Sequence, residues 1–138
     1  MSGAVRILVV EDNEANQLLV RAVLDLEGFQ VEVAGNATEA LEMLRARTPD
    51  LVLMDIQLPG EDGLSLTRRL KADPATASIT VVALTAHAMS GDKELALSAG
   101  CAGYISKPID TRTLGTQLRQ YLTGSNDRGA PLEQGAVQ

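Results

Sequence analysis

Several short apolar runs in this chain end in side chains capable of chemistry. Leu51-Val52-Leu53-Met54 closes on Asp55, ahead of Ile56-Gln57-Leu58-Pro59-Gly60. Val5 to Val10 carries an apolar run that stops at Glu11-Asp12, Val81 to Leu84 stops at Thr85, and Gly103-Tyr-Ile-Ser106 stops at Lys107-Pro108. A core strand that ends in an acid commonly delivers it to the carboxyl edge of a parallel sheet, where open α/β folds place their ligands. A lone acid there would serve equally well as a turn cap. Acids, a hydroxyl and an ammonium ending separate strands of one sheet point instead to a site. Carboxylates gathered at one edge, as Glu11, Asp12 and Asp55 would be, repel one another, and a hard divalent cation relieves that repulsion through oxygen ligands.

Strands and helices that could position these groups alternate along the chain. Val5 to Val10 and Leu51 to Met54 are read as short apolar runs, the pattern of strands covered on both faces. Phe29 to Ala34 alternates, as an edge strand does. Between the first two strands, Glu14 to Glu27 carries Ala15, Leu18, Leu19, Ala22 and Leu26 at helical spacing and stops before Gly28, a suitable residue just past a helix. Asn36 with Glu39 three residues on marks the start of a second helix, whose face is Ala37, Ala40, Leu41 and Leu44. A third is expected from about Asp62-Gly63 to Ala72, broken by Asp73-Pro74, and a fourth from Ser90 to Ala99, without a clean stripe. The fifth, Thr111 to Leu122, sets Leu114, Leu118, Tyr121 and Leu122 on one side. The pattern is five βα units, hence an α/β fold with helices on both faces of a parallel sheet. Residues 1–122 are read as one domain, and Thr123 to Gln138, rich in turn formers, as a flexible tail.

Composition limits the function classes. The 138 residues fit a single core, and the formal charge of −6, with no basic cluster interleaved with aromatics, argues against a nucleic-acid partner. No apolar stretch approaches the roughly 20 residues of a membrane span, and no charged and apolar leader opens the chain, so a cytoplasmic location is expected. Cys101 is the only cysteine, which excludes an intrachain disulfide and a multi-cysteine metal site.

Ile7-Leu-Val-Val-Glu-Asp-Asn13, Leu51-Val-Leu-Met-Asp-Ile-Gln-Leu-Pro-Gly60, Val82-Ala-Leu-Thr-Ala86 and Tyr104-Ile-Ser-Lys-Pro108 resemble the four signature segments of the response-regulator receiver domain of two-component signalling. The match runs from about residue 5 to residue 122, in the right order and at the right intervals. It implies a flavodoxin-like three-layer (βα)5 sandwich with strand order 2-1-3-4-5. It also implies a phosphoprotein whose phosphoacceptor is Asp55. Mg²⁺ would be held by the Asp12 and Asp55 carboxylates, the Gln57 backbone carbonyl and, mainly through water, Glu11. With the metal drawing charge from a phosphodonor, Asp55 attacks phosphorus in line and becomes an aspartyl phosphate. Lys107 supplies a point charge to a phosphoryl oxygen and Thr85 a hydroxyl.

By the same resemblance, Pro108 matches a cis-proline that aims Lys107, and small Ala86 leaves the pocket open to partners. Gln57 and His87, two residues past Asp55 and Thr85, stand where the family tunes loss of the phosphoryl group. Thr85 and Tyr104 stand at its switch positions. The implied donors are a sensor histidine kinase or a histidine phosphotransfer protein. The output would be an unnamed protein partner, or a homodimer, through the face of the fourth helix, fifth strand and fifth helix. A stand-alone regulator is expected, with a receiver cut from a hybrid kinase as the alternative. A small Mg²⁺-dependent phosphohydrolase of the haloacid-dehalogenase type also uses an aspartyl phosphate, but needs a second Asp where Gln57 stands. A flavodoxin-like cofactor binder would need a Gly-rich phosphate loop after the first strand, and none is present.

Overall fold

Why the apolar runs become strands is visible in what covers them. In the computed structural model, which describes residues 4–58, 60, 62–86 and 91–127, with side chains through Leu122, β1 (Arg6–Val10), β3 (Leu51–Asp55) and β4 (Thr80–Thr85) are buried almost throughout. β2 (Gln30–Ala34) and β5 (Gly103–Ser106) form the edges, and β2 keeps the exposed-inward alternation read from its sequence. All pairings are parallel and the sheet order is β2-β1-β3-β4-β5. The order reverses between β1 and β3, which places the ends of those strands beside a topological switch point.

Alternate strand residues feed two cores. Leu8, Val10, Val52 and Met54 pack with α2 (Ala37–Ala46), α3 (Gly63–Ala72) and α4 (Asp92–Ala99) on one face. Ile7, Val9, Leu51 and Leu53 pack with α1 (Glu14–Leu26) and α5 (Leu114–Asp127) on the other. Caps fix the helix starts: Asn13, Asn36 and Asp62 accept backbone N–H groups of Asn16, Glu39 and Ser65 at 2.9, 2.9 and 2.8 Å. Glu39 answers by accepting the Gly35 N–H at 2.7 Å. Among the described residues no helix is long and apolar enough to cross a membrane.

Three expectations change. α1 turns Val20 and Leu24 into the core, leaving the expected stripe of Ala15, Leu18, Leu19, Ala22 and Leu26 exposed, Leu18 by 70% and Leu26 by 89%. α5 starts at Leu114 rather than Thr111, because Asp110 holds Arg112 in an Asx turn, accepting its N–H at 2.9 Å. The same helix runs to Asp127. Residues 128–138 lie outside the described residues. α4 begins at Asp92 after Gly91, whose φ of 101° favours glycine.

Candidate functional site

Strand ends build the site. β1 runs into Glu11 and Asp12, and the Glu11 N–H donates to the Ala34 carbonyl at 2.9 Å, extending the sheet by one bond. β3 ends on Asp55 itself, opposite Leu84 of β4. Together Glu11, Asp12 and Asp55 each bring a carboxylate oxygen within 4.8 Å of the others. Glu11 and Asp55 are 1% and 2% exposed, whereas Asp12 is open to solvent.

Each buried acid is anchored locally. Glu11 Oε2 accepts the Asn13 N–H at 3.0 Å, and Asp55 Oδ1 accepts the Gln57 N–H at 2.9 Å. Behind Asp55, α3 comes so close that a side chain on Gly63 would strike the Asp55 carbonyl and lie 2.7 Å from Ile56 Cα. Only glycine lets that helix close on the loop.

Lys107 reaches the acids from the end of β5. Its Nζ lies 3.1 Å from Asp55 Oδ2 and 3.7 Å from Glu11 Oε1. Its N–H donates to the Thr85 carbonyl at 2.7 Å, which ties lysine to threonine through the backbone, and the Lys107–Pro108 peptide is cis. One ammonium does not neutralise three carboxylates. Burial, and after it the negative charge of Asp55, push the Glu11 carboxyl above its ordinary value, against the lowering pull of the Asn13 N–H and Lys107. Glu11 Oε1 is also buried without a hydrogen-bond partner. An all-oxygen donor set, a buried carboxylate oxygen that accepts no hydrogen bond and surplus negative charge fit a hard cation such as Mg²⁺.

Thr85 is buried at the end of β4, and its hydroxyl donates to Asp92 Oδ2 at 2.7 Å. Tyr104 is half-buried, with Lys93 Nζ 5.7 Å from its ring centroid, and borders an open cleft of about 480 Å³ with Pro108, Asp110, Gln117 and Tyr121. Gln57 and Ala86 are exposed. His87 lies outside the described residues. The structure thus brings Glu11, Asp12, Asp55 and Lys107 together, with Thr85 on the neighbouring strand. Sequence reading missed Asp92 and Lys93, which carry no signal beyond acidic and basic side chains in a first helical turn.

Sheet order and strand-end groups are together those of a receiver. The response regulator receiver domain matches residues 7–119, and the chain belongs to that family. It is similar to the polar-differentiation response regulator DivK of Brucella anthropi, 43% identical over 116 residues, covering 84% of this chain and 94% of that protein. A receiver domain of a sensor histidine kinase from Pseudomonas aeruginosa, with a magnesium ion coordinated in its active site cleft, superposes with a TM-score of 0.80 at 34% identity, covering 88% of this chain and 99% of that one. A CheY-like receiver domain protein from Methanospirillum hungatei gives 0.82 at 28% identity, covering 92% and 100%.

Proposed function

We propose that this chain is a stand-alone, cytoplasmic response regulator. Asp55 takes a phosphoryl group from a phosphohistidine of a sensor histidine kinase or a histidine phosphotransfer protein, and the phosphorylated form signals by altered protein contacts. One observation carries the reading: a buried aspartate at a strand end, with one oxygen held by a backbone N–H and the other facing a lysine. An Asp55 oxygen attacks phosphorus, the P–N bond of the donor breaks, and the freed imidazole retains that electron pair and takes a proton. Lys107 balances charge on a phosphoryl oxygen, and Thr85 donates to another. Mg²⁺, held by Asp12, Asp55, the Gln57 carbonyl and Glu11 through water, would offset the charge of the phosphoryl oxygens.

The exposed stripe of α1 begins beside Asp12 and suits a helical donor protein, whose apolar seam could cover it while its histidine faces Asp55. The stand-alone role is supported by the DivK likeness, which spans 94% of that protein. Likeness to a histidine kinase's receiver keeps a relay intermediate as the second reading. Gln57 and His87 would set the phosphoryl lifetime, and the α4–β5–α5 face would meet the output partner or a second copy.

Incubation with Mg²⁺ and acetyl phosphate is expected to add one base-labile phosphoryl group by intact mass, and none to Asp55→Asn. Unchanged labelling of that variant, or steady multiple turnover of a phosphate ester, would remove the proposed role. With a phosphohistidine protein as donor, Leu18→Ala slows transfer while leaving labelling by acetyl phosphate as in the wild type; equal rates would remove α1 as the docking face.

A further inference from the structure

Two neighbouring side chains in the first turn of α4 touch the two residues assigned to the switch. Asp92 accepts the Thr85 hydroxyl at 2.7 Å, and Lys93 stands over the Tyr104 ring at 5.7 Å. Gly91 provides no side-chain cap for this turn, and the buried residues of α4 are Ala96 and Ala99. A hydroxyl has one proton to donate. If it bonds Asp92 fully it does not bond a phosphoryl oxygen fully.

We propose that Asp92 is a positioning residue for phosphoryl binding, holding the Thr85 hydroxyl on the α4 side until a phosphoryl group on Asp55 competes it away. The inference rests on Asp55 being the phosphoacceptor. It has two consequences. The Asp92 carboxylate opposes phosphoryl binding, because a charge-assisted hydrogen bond must break first. Once that bond is gone the first turn of α4 loses this tie to β4, and Lys93 can leave Tyr104, which carries the signal from pocket to surface through a backbone shift of α4.

A double-mutant cycle on beryllofluoride affinity, measured calorimetrically in Mg²⁺ with wild type, Asp92→Ala, Thr85→Ala and the double variant, tests this. Asp92→Ala is expected to tighten binding by at least about fivefold when Thr85 is present, and by less than about twofold when residue 85 is alanine. Asp92→Asn, which keeps the shape with a weaker acceptor, is expected to tighten it in the same direction but less, and serves if the alanine variant folds poorly. Equal tightening in both backgrounds would mean simple charge repulsion by Asp92, and no tightening would mean that Asp92 only supports the helix; either result overturns the proposal. If the wild type does not bind beryllofluoride in Mg²⁺, the phosphoacceptor reading itself fails and this inference falls with it.

Discussion

The two sides of the sheet edge are held in different ways. On the β1–β3 side, each buried acid is fixed by a backbone N–H two residues further on, at 3.0 Å for Glu11 and 2.9 Å for Asp55, and α3 closes over Asp55 through Gly63. On the β4–β5 side, the Thr85 hydroxyl is held by a side chain from another element, Asp92, in a helix that buries two alanines. α3 by contrast buries Leu64, Leu66, Thr67 and Leu70. A site that must receive a metal and a phosphoryl group at fixed distances needs the first kind of support. A site that must respond to them needs the second, because elements with few buried apolar contacts open at low free energy.

The largest effect that could break this contrast is in the helices themselves. Leu66→Ala in α3 removes a fully buried side chain and is expected to cost about 2–5 kcal/mol in chemical denaturation. Leu97→Ala in α4, half exposed in the wild type, is expected to cost less than about 1 kcal/mol. Comparable losses would show that α4 is as firmly seated as α3.

A smaller effect sharpens the electrostatics of the acid side. Mg²⁺ at ten times its dissociation constant is expected to stabilise the fold by about 1.4 kcal/mol, and Asp12→Asn to weaken that response. In the metal-free protein the Glu11 carboxyl is held above its ordinary value, chiefly by burial, so the native state binds its proton more tightly than the unfolded chain does. Stability then falls as pH rises from the ordinary glutamate value through the raised one, and levels off above it. Compared with Glu11→Gln in chelator, the wild type therefore loses ground across that window on going to neutral pH, and Mg²⁺ recovers it. Thermal melts that ignore Mg²⁺, or a wild-type-to-variant difference that is flat with pH, would contradict this electrostatic account.

What could be read from sequence follows the same division. The gathering of Asp55, Glu11-Asp12, Thr85 and Lys107 was legible because several strand ends carried such groups at once, where any one alone could have capped a turn, and Asn36 with Glu39 announced its helix through local bonds. The strand order came from the resemblance, since apolar runs do not name their neighbours. α1 misled: an apolar stripe at helical spacing does not say which face meets the sheet, and Val20 and Leu24 had an equal claim on it, so Leu18 and Leu26 were left exposed. Gly63 read as a helix start, because its close approach to Asp55 exists only once α3 packs. Asp92 carried no signal of its own, because its bond to Thr85 exists only once α4 packs beside β4.

The contrast itself is tested most directly by backbone amide spectra recorded first with Mg²⁺ and then with added beryllofluoride. Mg²⁺ alone is expected to shift amides at residues 11–13 and 55–57 and to leave those of Asp92, Lys93 and Tyr104 in place. Beryllofluoride is then expected to move Thr85, Asp92, Lys93 and Tyr104 in Thr85-containing protein, with α3 unchanged beyond its first turn. Movement of α4 with Mg²⁺ alone, or an α4 and Tyr104 that ignore beryllofluoride bound at Asp55, would contradict the division between a fixed acid side and a responsive threonine side.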